Sequence, residues 1–200
     1  IQRHEPKEAR VKLPKQKIGD LFEVQLGKML NENARVGELF PYLANFNVRW
    51  GKFDLSDLNR MAFSETERKK FTIQKNDLLM CEGGEIGRCA VWTGSDTDIY
   101  FQKAIHRLRP RDERVSSYFM YYFMQNISTK GDLPKLVGET SIAHLTREKL
   151  VSLAIPVPPR AVQDRIVEVL LACDAAIDKT PHLLAAKQQR NKALSNQLLF

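Results

Sequence analysis

The chain has 200 residues, 43% of them hydrophobic and 28% charged, with a formal net charge of +7. That hydrophobic content excludes a disordered chain, and the length suffices for one substantial core or two small ones. The longest apolar runs, Tyr118 to Met124 and Val151 to Val157, are too short for a bilayer span, and no signal-peptide pattern is present, so no membrane association is expected. The basic excess makes a polyanion a reasonable partner, although many enzymes are equally basic. Cys81, Cys89 and Cys173 have neither CxxC spacing nor a nearby histidine pair, so no metal site is expected; a reducing compartment, the cytoplasm, fits them.

Taken in chain order, the sequence opens with a polar, basic arm from Arg3 to Lys17. A short element begins at Ile18-Gly19-Asp20-Leu21, and Arg35 to Leu55 carries Tyr42, Phe46, Val48 and Trp50 in partly strand-like alternation. Phe63 to Lys70 is a short helix candidate. Phe71 to Cys81 reads as strand, turn, strand, and Cys89-Ala90-Val91-Trp92 as a further strand across the glycine-rich Glu82 to Arg88. Gly94 to Asp98 makes a turn, and Ile99 to Leu108 alternates again. Tyr118 to Asn126 has the bulk and length of a buried helix, and Leu145 to Ser152 of a short one. These elements predict an α+β body with a twisted, mainly antiparallel β-sheet and helices.

At the C-terminal end, Ile155-Pro156-Val157-Pro158-Pro159 holds the chain extended, because each proline fixes its own φ and disfavours helix at the residue before it. A helix can start near Arg160. Val162, Ile166, Val169, Leu170, Cys173 and Ile177 then recur at helical spacing, continued by Leu184, Leu194 and Leu198. Thr180-Pro181 reads as an N-cap followed by an N1 proline, which predicts a break or kink there. A stripe of this length fits a partner helix, as in a coiled coil; folding back on the body is the alternative. The predicted boundaries are residues 1–159 for the body and 160–200 for the helix.

Several chemistries have no motif behind them. There is no GxGxxG, no GxxxxGK[ST], no GxSxG and no HExxH, and the four histidines are scattered singly, so no catalytic residue, metal or cofactor is expected. Gly83, Gly84 and Gly87 between two strands allow positive φ and close backbone approach, so a phosphate could sit against free N–H groups beside Arg88; a tight connection is the competing reading. Arg68-Lys69-Lys70 and Arg107, Arg109, Arg111 are candidates either for phosphate contact or for a solvated face.

Three stretches carry a family resemblance. Asn76 to Arg88 (NDLLMCEGGEIGR), Thr140 to Leu150 (TSIAHLTREKL) and Ile155-Pro156-Val157-Pro158-Pro159 with Gln163, Arg165-Ile166, Asp174 and Ile177 resemble, in order and spacing, the specificity subunits of type I restriction-modification systems. The chain is similar to one half of such a subunit: one target recognition domain followed by one spacer helix. Val162, where the family commonly has Glu, and Pro181 depart from the pattern.

The resemblance implies a DNA-reading subunit without chemistry of its own. Its partners would be double-stranded DNA at a bipartite site, a methyltransferase (modification) subunit and a restriction subunit. Its spacer implies antiparallel pairing of two helices; a homodimer through residues 160–200 would read an interrupted palindrome. For DNA binding the candidates are Arg88 and Lys103 at phosphates, Gln102, Ser141 and His144 at bases or sugars, and Arg49, Lys52, Lys130 and Lys135 at the flanks. Two alternatives stay open: the recognition end of a fused restriction-methyltransferase, and a helix-mediated interaction protein that binds no DNA.

Overall fold

A computed structural model of the chain describes residues 13–30, 36–95, 98–137 and 144–199. It divides into two compact units, Ile1–Arg160 and Ala161–Phe200. The first unit is α+β. Strand β1 (Lys15–Lys17) leads through a single turn of helix, α1 (Ile18–Leu21), into β2 (Phe22–Leu26). Then follow β3 (Leu39–Leu43), a 3-10 turn at Asn45–Asn47, the small hairpin β4 (Val48–Arg49) and β5 (Lys52–Phe53), β6 (Asn59–Ala62) and α2 (Glu65–Lys70). Strands β7 (Leu78–Cys81), β8 (Cys89–Val91), β9 (Tyr100–Phe101) and β10 (Ile105–Pro110) precede α3 (Ser117–Thr129), α4 (Leu133–Val137), α5 (Arg147–Ser152) and β11 (Ala154–Pro156).

The main sheet has the order β2-β10-β7-β8 and is antiparallel throughout; a second sheet, β6-β3-β9, includes one parallel pair, β3 with β9. Ile105 to Leu108 of β10 are all buried. Helix α3 packs against β7, β8 and β10 and contributes buried Phe119, Met120, Tyr121, Tyr122, Met124 and Ile127, side chains whose full burial stabilises by roughly 1.5–3 kcal/mol each. Between the sheets lies an aromatic cluster in which Phe63 packs on Tyr100 at 4.5 Å and Phe71 meets Phe101 edge-on at 5.8 Å.

Several sequence expectations need correction. Residues 15–17 of the expected arm form β1, which pairs antiparallel with β11, so the polar opening is tied to the proline joint. Phe71 to Gln74 is not a strand. The Lys70 and Thr72 carbonyls accept from the Arg107 guanidinium at 3.2 and 2.6 Å, and the Gln74 amide donates to the Asp77 carboxylate at 2.7 Å, so side chains take the bonds a neighbouring strand would have made. Arg107 and Arg109, read as phosphate contacts or a solvated face, are instead engaged within the fold: Arg107 is 2% exposed and pairs with Glu23, while Arg109 grips Asp77 through two bonds of 2.7 Å.

The second unit is helical. Helix α6 (Arg160–Leu199) runs without interruption through Thr180 and Pro181, contrary to the expected break. The Thr180 hydroxyl is not an N-cap; it donates back to the Ala176 carbonyl at 2.9 Å, one turn earlier. Forty residues at 1.5 Å per residue give a helix of about 60 Å. Val162, Ile166, Val169, Cys173, Ile177 and Leu184 of the expected stripe are exposed and Leu170 is half-buried, while Leu171, absent from the sequence reading, is also exposed. At Leu194 and Leu198 only the helix backbone is described. Among the described residues no helix is long and apolar enough to cross a membrane.

Candidate nucleic-acid interface

Arg49, Lys52, Gln102, Lys103 and His144 lie on separate segments that meet the loop Gly83 to Arg88, between β7 and β8, or its two ends. The 3-10 turn reaches it first: Asn45 Nδ2 donates to the Gly83 carbonyl at 3.1 Å. Trp50, at the tip of the β4–β5 hairpin, donates through Nε1 to the Glu85 carboxylate, and the Gly51 amide donates to the Cys89 carbonyl. From the β9–β10 turn, the Ala104 carbonyl accepts from the Glu82 amide at 2.9 Å. The Leu145 amide in turn donates to the Glu82 carbonyl at 2.8 Å. Four segments thus meet the loop and its ends through hydrogen bonds.

Arg49 and Lys52 face each other across the hairpin register and are both exposed. Lys103 is exposed on the β9–β10 turn, Gln102 beside it is half-buried, and His144 is exposed just before the Leu145 clasp. Lys130 at the end of α3 and Lys135 on α4 are exposed, the latter paired with Asp132 at 2.9 Å. Ser141 lies outside the described residues.

Arg88, expected at a phosphate, is turned into the loop. Its side chain is only 14% exposed, with one terminal nitrogen 2.9 Å from the Asn45 carbonyl and the other 3.2 Å from Glu85. It braces the loop from within. The glycines also divide: Gly84 (φ +74°) and Gly87 (φ +80°) occupy the left-handed region, whereas Gly83 does not. Gly87 is buried where a Cβ would come 2.9 Å from the Met124 methyl, and its amide already donates to the Cys81 carbonyl. Of the three, only Gly84 is exposed. The loop is a tight connection first, with backbone approach left to Gly84.

Two carboxylates near this cluster, Asp54 and Glu85, are engaged. The Ser56 hydroxyl and amide hold the Asp54 carboxyl below its ordinary range, helped by Arg49, and Glu85 receives Trp50 and Arg88. Under the loop, His106 is fully buried and its Nε2 lies 2.8 Å from the Leu145 carbonyl, so this nitrogen carries the proton and donates. Burial depresses its pKa, against the opposing pull of that carbonyl. Burial pushes the Cys81 and Cys89 thiols up, the latter far, which leaves neither as a ready nucleophile. Among the described residues no group of His, Cys, Asp and Glu could hold a metal ion.

Sequence reasoning missed Asn45 and Asn47 and read Phe46 and Trp50 only as strand-like, whereas Phe46 lies in the 3-10 turn and Trp50 in the turn of the β4–β5 hairpin. The pair of asparagines flanking one aromatic, just after β3, is a turn signal that could have found the 3-10 turn.

Comparison with known proteins now adds to this geometry. The family described as "Type I restriction modification DNA specificity domain" matches residues 11–186. A curated relative described as "Putative type I restriction enzyme specificity subunit S.HindORF215P", from Haemophilus influenzae (strain ATCC 51907 / DSM 11121 / KW20 / Rd), is 27% identical over 157 residues, which cover 76% of this chain and 38% of the relative. Among solved structures, the HsdS subunit from Thermoanaerobacter tengcongensis superposes with a TM-score of 0.61 at 16% identity, covering 88% of this chain and 41% of that one. The type I restriction-modification S subunit from M. genitalium gives 0.55 at 18% identity, covering 94% of this chain and 45% of the other. These two share the fold. The chain spans less than half the length of each of these relatives. With a family match over most of its length, on the α+β scaffold and long C-terminal helix described above, the chain belongs to the type I restriction-modification DNA specificity domain family.

Proposed function

We propose that the first unit is a target recognition domain that reads duplex DNA and performs no chemistry itself, and that the second is a spacer helix. In this reading the domain directs methyltransferase and restriction subunits to a bipartite site. The observation that carries it is the convergence of four segments on one loop and its ends, with Arg49, Lys52 and Lys103 exposed around it and the Asp54 and Glu85 carboxylates engaged by other side chains. Phosphates need such exposed cations for position, and base edges need short rigid loops carrying polar or apolar tips. Lys130, Lys135 and His144 extend the surface, and Gln102 is the polar group placed for base contact. Arg88 contributes through the shape of the loop rather than by direct charge.

The exposed stripe of α6 favours association with a second such helix, antiparallel as the family's two-helix spacer implies, supplied by another copy of this chain or by a further segment of a longer one. With a second copy the DNA site would be an interrupted palindrome.

Fluorescence anisotropy of labelled duplexes against salt concentration tests the DNA reading. Replacing Arg49, Lys52 and Lys103 together by Ala is expected to reduce the counterion slope by up to about three, near 0.9 for each phosphate no longer neutralised. An unchanged slope in the folded triple variant would remove these residues from the interface. Loss of DNA binding only on adding Arg88→Ala, with unfolding, would assign Arg88 to structure alone.

A further inference from the structure

We propose that Phe46 reads the 5-methyl group of a thymine in the DNA site, an inference that rests on the DNA-reading function proposed above. Phe46 is 46% exposed although both of its neighbours in the 3-10 turn are held by side-chain hydrogen bonds. The side chain of Asn47, itself 1% exposed, accepts from the Ala44 amide at 2.8 Å and donates to the Asp54 and Asp57 carbonyls at 2.9 Å each. On the other side Asn45 donates to Gly83, its Oδ1 is buried, and its carbonyl holds the Arg88 guanidinium at 2.9 Å. Both neighbours are therefore fixed, and their polar side chains are turned inward. What the turn offers outward is a single apolar ring.

An exposed ring on a rigid turn is a preorganised contact: little conformational freedom is lost when it meets a partner, and apolar area is removed from water. The partner it fits is set by its surroundings. Strand β4 begins two residues later, and its hairpin presents Arg49 and Lys52 to solvent, so a polyanion is drawn to this edge. On the major-groove surface of duplex DNA the apolar group within reach of a side chain is the thymine methyl. Intercalation is the other use of an exposed phenylalanine in DNA binding, but inserting a wedge between base steps needs most of the side chain free, and more than half of Phe46 is covered.

The test uses duplexes selected from a random-sequence pool by the unmodified chain, then resynthesised with deoxyuridine in place of thymidine. For the unmodified chain, removing the methyl is expected to weaken binding about fourfold, the equivalent of one buried methylene. Phe46→Ala should bind the thymidine duplex about as weakly as the unmodified chain binds the deoxyuridine one, and be indifferent to the replacement. Phe46→Leu should retain part of the sensitivity. Equal loss by Phe46→Ala on both duplexes, or no loss on either, would overturn the assignment and turn the ring toward a protein partner. Failure of the unmodified chain to bind any duplex would instead overturn the DNA-reading function itself.

Discussion

Asp77 is 1% exposed, yet it carries a carboxylate that accepts two bonds from Arg109 and a third from the Gln74 amide. A buried charge this well paired contributes little net stability compared with an apolar pair of the same shape, but removing one partner strands the other. Asp77→Ala is therefore expected to cost about 3 kcal/mol in urea unfolding, because it frees both the Arg109 fork and the Gln74 amide. A loss below about 1 kcal/mol would mean that water reaches Arg109 and replaces the carboxylate. His106 supplies a pH dependence. Its folded pKa lies below the unfolded value near 6.5, so the unfolded chain binds more protons as the pH drops. Its contribution to stability is present above pH ~6.5 and is lost as pH falls below that value. Replacing His106 by Gln, which can still donate to the Leu145 carbonyl, should flatten the unfolding free energy between pH 7 and 5; an unaltered pH profile would show that another group titrates there.

At the scale of elements, the β9–β10 turn is held against β2 by a close approach at Gly27. A Cβ there would lie 2.2 Å from the Gln102 carbonyl oxygen and 2.4 Å from its carbon, both backbone atoms that cannot swing aside. Gly27→Ala should therefore displace Gln102 and Lys103 and weaken DNA binding without touching a contact residue. Its signature is altered amide hydrogen exchange at residues 101–105, and unchanged exchange there would place the cause of any binding loss elsewhere. Helix α3, whose bonds close within four residues, the proline joint, set by local φ restriction, and β7 and β8, marked by apolar runs on either side of the glycines, were legible in the sequence. Phe71 to Gln74 was not, because its carbonyls are captured by arginines more than thirty residues away in the chain. No periodicity of the local sequence records that competition.

For the whole molecule, the question is what covers α6. Burying about 600 Å² of its exposed stripe would contribute on the order of 15 kcal/mol before the costs of association, ample for a stable dimer in principle. Ile166→Glu with Leu170→Glu places charge in that stripe and should yield monomers whose first unit stays folded. Sedimentation of the unmodified chain at tens of micromolar is the decisive measurement: a strict monomer would end the homodimer proposal, and the interrupted palindrome with it.

The order of apolar, proline and glycine residues by itself determined an α+β body, a rigid joint and a long amphipathic helix, because these depend on steric rules and side-chain periodicity acting over a few residues. Three motifs in the right order were enough to point to the family. Only the tertiary structure decided which charges are exposed. Arg49, Lys52 and Lys103 remain exposed to solvent, whereas Arg88, Arg107 and Arg109, identical in kind on paper, are drawn inward by carbonyls and carboxylates from distant segments. A cation's availability is set by what the fold brings beside it, and the tight turn that exposes Phe46 is set by Asn47 reaching carbonyls at 54 and 57. Those partners are assembled by folding, since pairing is a property of distances in space and not of spacing along the chain.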